Sequence, residues 1–216
     1  MTDWLSVGTD IKIEELRHYL DTLKKELESM ADDFDKKVEA EAKQIEDDRE
    51  RDEFYEWKSD EYWDYKETFP RIFLNSFHAS TYALLESEIY SIARRLGKKQ
   101  LFDVSDLGGK DYLKIASFYI NKITGVNPQR FASWQRIEDG RTLRNNIVHS
   151  NGILTKTHEI DVARQHNLVK ETNIDVTSGR SILHLSITYD FCKSFVSTLA
   201  DFFHELYREM KNGDYL

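Results

Sequence analysis

The residues best suited to chemistry lie together in the stretch Arg-Asn-Asn-Ile-Val-His, from Arg144 to His149. Histidine can accept or donate a proton near neutral pH, and arginine offers a two-pronged donor to phosphate oxygens. Cutting an RNA strand without a metal needs a base for the ribose 2′-hydroxyl, an acid for the leaving 5′-oxygen and a cation for the phosphate. The stretch could therefore supply the parts of a phosphodiester-cleaving site.

A helix over residues 130–149 is expected to position these side chains, ending at Ser150-Asn151-Gly152. At 100° per residue, Leu143 and Ile147 point toward a core. The opposite face combines polar residues with apolar ones that could meet a second protein surface: Arg141, Arg144, Asn145, His149, Trp134, Ile137 and Val148. Two such faces related by a two-fold axis would bring together two histidines and four arginines.

This arrangement resembles the HEPN superfamily, whose hallmark is an arginine, four to six residues and then a histidine at the end of a late helix of an α-bundle. The resemblance is specific over about 12 residues and extends loosely, as architecture, over residues 70–211. Such proteins are typically homodimeric, metal-independent endoribonucleases of toxin–antitoxin, phage-defence and CRISPR systems. The resemblance therefore implies RNA as substrate, a homodimer, an antitoxin or other defence-system partner, and no metal or cofactor.

Carried over to this chain, the resemblance makes Arg144 the ligand of the scissile phosphate, His149 the acid and base, and Asn145 a substrate-positioning residue. Arg141 and Arg136 are further candidates for RNA binding. The dimer contact is expected at three apolar residues of the same helix: Trp134, Ile137 and Val148.

Two other interpretations of the motif are open. Some HEPN proteins are catalytically inactive and bind proteins or RNA. Alternatively, the motif is purely structural, with Arg144 paired to Glu138 or Asp139 and His149 capping its helix.

A long helix or helical hairpin is expected over residues 10–58, which contain no glycine and no proline. Its apolar residues recur at intervals of three and four, which is the seam of a coiled coil or helical hairpin: Leu16, Leu20, Leu23, Leu27, Met30 and Phe34. This seam could pack on the chain's own domain, form a dimer or bind a partner.

The remainder predicts an all-α, up-and-down helical bundle with one small β-hairpin, and the resemblance implies that this bundle is HEPN-like. One helix should begin at Thr68-Phe69-Pro70 and end at Gly97, and others should span residues 111–123 and 188–211. The hairpin is expected over residues 173–187, with its turn at residues 177–179. The aromatic residues between positions 54 and 69 are expected to be core. We therefore predict an acidic helical extension over residues 1–69 and a HEPN-like domain over residues 70–216.

The net charge of −9 is unevenly distributed, which bears on RNA binding. Residues 1–70 contain 11 basic and 23 acidic residues, whereas the rest contains 19 basic and 16 acidic residues. The acidic third should repel phosphate, and the mildly basic remainder should not. The single cysteine, Cys192, excludes an internal disulfide and is expected to be buried. Without a signal peptide or a run of 18 apolar residues, a soluble cytoplasmic protein with no membrane partner is expected.

Overall fold

Helices joined by short connections make up most of the computed structural model, which describes residues 4–98, 100–109, 111–173, 181–213 and 215. The helices are α1 (Trp4–Ala42), α2 (Asp48–Trp63), α3 (Phe69–Gly97), α4 (Tyr112–Thr124), α5 (Trp134–Ser150), α6 (Thr157–Gln165) and α7 (Tyr189–Asn212), and the strands are β1 (Val169–Asn173) and β2 (Ser181–Leu185). The predicted all-α bundle with one small antiparallel hairpin is confirmed. In the part of the chain that is described, no helix is long and apolar enough to cross a membrane.

The N-terminal segment is a helical hairpin in which the chain reverses between α1 and α2 at residues 43–47. Asp47 caps α2 by accepting hydrogen bonds from the backbone N–H groups of Arg49 and Glu50. No glycine or proline marks this reversal. The sequence pattern alone therefore did not distinguish a continuous helix from a helical hairpin.

The apolar seam of α1 packs on the chain's own bundle. Leu20 and Leu23 are buried in the same hydrophobic core as α7, whereas Met30, further along the seam, is 38% exposed. Packing on the chain's own domain was one of the three predicted arrangements. The first part of α1 is thus integrated with the bundle, and the predicted boundary between residues 69 and 70 lies within a continuous helical run.

That helical run extends from α2 into α3 through a π-helical turn at Asp64–Thr68. Helix α3 begins at Phe69, where Thr68 and Pro70 predict a helix start, but the chain does not leave the helical conformation there, because Thr68 has helical dihedral angles and makes no side-chain cap. A proline ring in a regular α-helix clashes with the carbonyl group four residues earlier. We attribute the continuity of the run to the wider π turn before Pro70, which relieves this clash.

The aromatic residues of α2 and the π turn lie mostly at the surface, contrary to the expectation that they form core. Trp57, Tyr62 and Trp63 are 69%, 50% and 54% exposed. Lysine ammonium groups lie over these rings, that of Lys58 at 4.5 Å from the Trp57 centroid and that of Lys66 at 5.6 Å from the Tyr62 centroid. Helix α2 packs along α1, so its other faces remain in contact with solvent.

Helix ends in the bundle follow local signals closely. Asp111 caps the start of α4, Gly125 ends it with a positive φ of 74°, and the Thr188 side chain caps α7. Helix α3 ends at Gly97 as predicted, and the close packing of a neighbouring side chain explains why this residue is glycine. A Cβ at Gly97 would lie 2.8 Å from the hydroxyl oxygen of Tyr119, whose side chain is fully buried.

The β-hairpin pairs Val169 with Leu185 at one end and Asn173 with Ser181 at the other. Strand β1 begins four residues before the predicted start, and the predicted turn at residues 177–179 lies outside the described residues. The chain segment after α5 runs along β2. The Leu154 N–H donates to Leu183 O at 2.9 Å and the Leu185 N–H donates to Gly152 O at 2.7 Å. The hairpin is thereby attached to the C-terminal end of α5.

Candidate functional site

Helix α5 carries the predicted motif and is enclosed by α3, α6 and α7. It ends at the predicted turn, where Asn151 and Gly152 adopt positive φ values of 49° and 80°. Its buried residues form the inner face: Ile137, Asp139, Gly140, Leu143 and Asn146. In the last turn, Val148 and His149 are exposed. The motif is therefore anchored through its inner face and open to solvent at its C-terminal end.

Arg144 is held by its sequence neighbour and has no carboxylate within ion-pair distance in the described part of the chain. Its Nη1 donates to Asn145 Oδ1 at 3.0 Å, and its buried Nε has no hydrogen-bond partner there. The pairing with Glu138 or Asp139 that the sequence left open does not occur. A partly buried guanidinium with unused donors is suited to bind an anion.

Arg141, one turn earlier, is engaged at both ends. Its Nη1 lies 2.6 Å from Asp111 Oδ2 and its Nη2 lies 2.5 Å from Glu138 Oε2, which ties α5 to the start of α4. Arg136 donates from Nη2 to Ser194 Oγ on α7 at 2.8 Å. Both arginines were predicted to bind RNA. The two carboxylates occupy the guanidinium of Arg141, whereas Arg136 makes this one hydrogen bond and its buried Nε has no partner among the described residues.

Glu86 of α3 is an acidic neighbour of these arginines that no local sequence pattern indicates. Burial raises the pKa of its carboxyl group; the charges of Arg144 and Arg141 oppose this rise, and Asp111 adds to it. A raised pKa favours the neutral carboxylic acid. Glu86 is therefore a carboxyl group from α3 whose charge is coupled to those of Arg144 and Arg141.

The three residues predicted to form the dimer contact differ in exposure. Val148 is 52% exposed, whereas Ile137 is fully buried in the core. Trp134 is partly buried, and its ring centroid lies 6.4 Å from that of Phe202. Ile137 is therefore a core residue and does not form a dimer contact. Other elements of the chain cover more than one face of the first half of α5.

Asn146 anchors the inner side of the motif. Its Nδ2 donates to Ile153 O at 2.9 Å and to Glu159 Oε2 at 2.8 Å. Burial would raise the pKa of Glu159, but hydrogen bonds from Lys156 and Asn146 outweigh it and lower the pKa. The motif pattern does not indicate this anchor, although Asn146 lies near Leu143 on the helical wheel. Of the two asparagines in the motif, Asn145 is the one beside Arg144.

One buried histidine, His78, and one partly buried histidine, His166, connect α5 to its neighbours. His166, at the end of α6, lies with Nε2 2.9 Å from Asp139 Oδ2. His78 of α3 donates from Nε2 to Gly140 O at 2.9 Å, and its ring packs against two phenylalanines of α7. Burial lowers the pKa of His78 to about 4. Both histidines belong to the scaffold that positions α5.

No group of three or more His, Cys, Asp or Glu side chains is placed to hold a metal ion within the described ranges. Comparison of the chain with protein-family models, curated proteins and solved structures found no match. The assignment of a function therefore depends on the chemistry of the α5 residues.

Proposed function

We propose that this chain is a metal-independent endoribonuclease of the toxin or phage-defence type, whose site is formed by the α5 helices of two copies. The observation that carries the proposal is the contrast between two arginines on one helix. Arg141 is neutralised by two carboxylates, whereas Arg144 has none within ion-pair distance in the described part of the chain and lies in the same motif as the exposed His149.

The proposed reaction is an attack of the ribose 2′-oxygen on its neighbouring phosphorus. One His149 removes the 2′-hydroxyl proton, the new P–O bond forms, and the bond to the 5′-oxygen breaks. A second His149 donates a proton to that leaving oxygen. Arg144 stabilises the charge that builds on the phosphate oxygens, with Asn145 fixing its guanidinium. The products are a 2′,3′-cyclic phosphate and a free 5′-hydroxyl.

A second copy is needed because the reaction uses two proton-transfer groups and the motif supplies one histidine. Within one helix, Arg144 and His149 lie at opposite edges of the shared face, about 140° apart around the axis, so one phosphate is not within easy reach of both side chains. Val148 is 52% exposed next to His149 and offers an apolar contact near the proposed two-fold axis.

The proposal is tested by incubating purified protein with a 5′-labelled single-stranded RNA in EDTA. Wild type should cut the strand and leave cyclic phosphate ends, and His149→Ala should reduce cleavage by at least about 100-fold. His18→Ala is the matched control, because His18 is an exposed histidine on α1, away from the motif. Full cleavage by His149→Ala would refute the mechanism. RNA binding without cleavage by wild type would favour the inactive binding module.

The dimer is tested separately by light scattering. Val148→Glu should shift the protein from dimer to monomer and abolish cleavage, because it places two carboxylates at the proposed axis. Ile11→Glu is the control, since Ile11 is 54% exposed on α1. In cells, induced wild type should arrest growth and degrade RNA while His149→Ala does neither. A monomeric wild type that cleaves RNA would refute the composite site.

A further inference from the structure

A cleft of about 280 Å³ lies between the β-hairpin, the α2–α3 helical run and the turn that follows α5. The helical run contributes residues spaced four apart, and the hairpin and turn contribute the opposite wall. The main lining side chains are Trp63, Glu67, Arg71, Lys170, His184 and Asn151. This volume is near the lower limit for small-molecule sites, roughly 300 Å³, so the cleft fits one compact group.

Arg71 is a partly buried cation without a partner. It makes no hydrogen bond or ion pair with any part of the chain that the structure describes, and it lines the cleft. By contrast, Lys170 forms an ion pair with Glu67 across the same cleft. An arginine that is partly desolvated without an anion is unfavourable unless a ligand compensates it. Arg71 therefore marks a place for an anion.

His184 adds a second polar group to the same wall. It lies opposite Lys170 in the hairpin register, so both side chains point to one face of the sheet. A histidine and an arginine around one space are suited to the oxygens of a phosphate group.

Trp63 supplies an aromatic surface beside these cations. Its side chain is 54% exposed, and the Lys170 ammonium lies 5.6 Å from its ring centroid. An exposed indole can stack on a nucleobase, and stacking tolerates any base. An acidic peptide would match the cations but would leave this ring uncovered. An anion joined to a flat aromatic group matches both features.

The cleft is also next to the proposed catalytic helix. Asn151 and Ile153, which line it, follow His149 in the turn at the end of α5. The Leu185 N–H to Gly152 O hydrogen bond fixes this turn against β2. A strand of nucleic acid that passes the end of α5 could thus place its next nucleotide in the cleft.

We infer that this cleft binds one nucleotide, with the phosphate on Arg71 and His184 and the base against Trp63. The inference rests on the proposed function for the source of the nucleotide, which is then a single-stranded RNA held beside the His149 turn. A free mononucleotide carries the same chemistry, and the experiment distinguishes the two sources.

The test measures binding and not cleavage, in full-length protein carrying His149→Ala so that the RNA stays intact. Fluorescence anisotropy with a labelled eight-nucleotide RNA gives Kd at several salt concentrations. Adding Arg71→Gln should raise Kd about 10-fold and lower the salt dependence by one phosphate contact. Adding Trp63→Leu should raise Kd by on the order of 10-fold, with little change in the salt dependence.

Matched controls are Arg208→Gln and Trp57→Leu, which alter an exposed arginine of α7 and an exposed tryptophan of α2 outside the cleft. Thermal unfolding checks that each variant is folded. Titration with 5′-AMP separates the sources: weak binding supports an RNA nucleotide, and tight binding that depends on Arg71 identifies a free nucleotide. Unchanged affinity of both cleft variants for both ligands would overturn the inference. Wild-type cleavage is scored independently, so failure of the proposed ribonuclease leaves this result interpretable.

Discussion

Substituting the two arginines of α5 separately should distinguish a reactive role from a structural one. Arg144→Gln removes one hydrogen bond to Asn145, and it also removes a buried Nε that has no partner in the described structure. Loss of the hydrogen bond to Asn145 should cost about 1 kcal/mol, and removal of the unpaired Nε should offset a similar amount. The free energy of unfolding should therefore change by less than about 1 kcal/mol, whereas cleavage should fall by about 100- to 1,000-fold.

Arg141→Gln should behave in the opposite way. It breaks the contacts with Asp111 and Glu138 and leaves these two carboxylates with the more distant Lys114, whose Nζ lies 3.9 Å from each of them. Charge-assisted hydrogen bonds contribute about 1.5–3 kcal/mol each when buried, and these side chains are 20–31% exposed, so we take a total of about 2 kcal/mol. For a chain of this size the melting temperature should fall by about 4–8 °C.

The assays are urea unfolding followed by circular dichroism, and the RNA cleavage assay in EDTA, for both variants in one buffer. The reasoning predicts two separable effects: catalysis lost with stability kept for Arg144→Gln, and stability lost for Arg141→Gln. If Arg144→Gln destabilises the protein as much as Arg141→Gln and still cleaves RNA, then Arg144 is a structural residue and the proposed site is wrong.

Three further predictions concern the scaffold. The folded-state pKa of His78 is about 4, which is below the pKa of histidine in the unfolded chain, so the free energy of unfolding should decrease as pH falls from about 6.5 to about 4. In urea unfolding this decrease should be about 3 kcal/mol larger for wild type than for His78→Leu. Equal pH profiles of the two proteins would contradict this. Gly140→Ala should lower the free energy of unfolding by at least about 1 kcal/mol in the same assay, because the added Cβ would lie 2.3 Å from the buried Phe195 ring. An unchanged urea midpoint would show that the ring can move aside. Burial raises the pKa of the Cys192 thiol to about 12, so iodoacetamide should label this cysteine only after the protein unfolds. Labelling is measured by mass spectrometry, and rapid labelling of the folded protein would contradict the burial of Cys192.

Features governed by a few neighbouring residues could be predicted from the sequence. The caps of α4 and α7 and the Asn151-Gly152 turn after α5 follow directly from local side-chain and backbone preferences. The burial of Cys192 follows from its position on the apolar side of α7. The break in the N-terminal helix was not specified locally, because Asp47 caps α2 without any glycine or proline nearby.

The sequence by itself thus determined the helical class and the placing of Arg144, Asn145 and His149 at the end of one helix, since periodicity and capping act over a few residues. Only the tertiary structure decided that Arg141 is paired with Asp111 and that Arg144 has no carboxylate partner in the described chain, because Asp111 comes from the cap of α4, 30 residues away in the sequence. It also buried Ile137, exposed Trp63 and brought Arg71 to the β-hairpin. These outcomes depend on which elements pack together, and no short stretch of sequence encodes that.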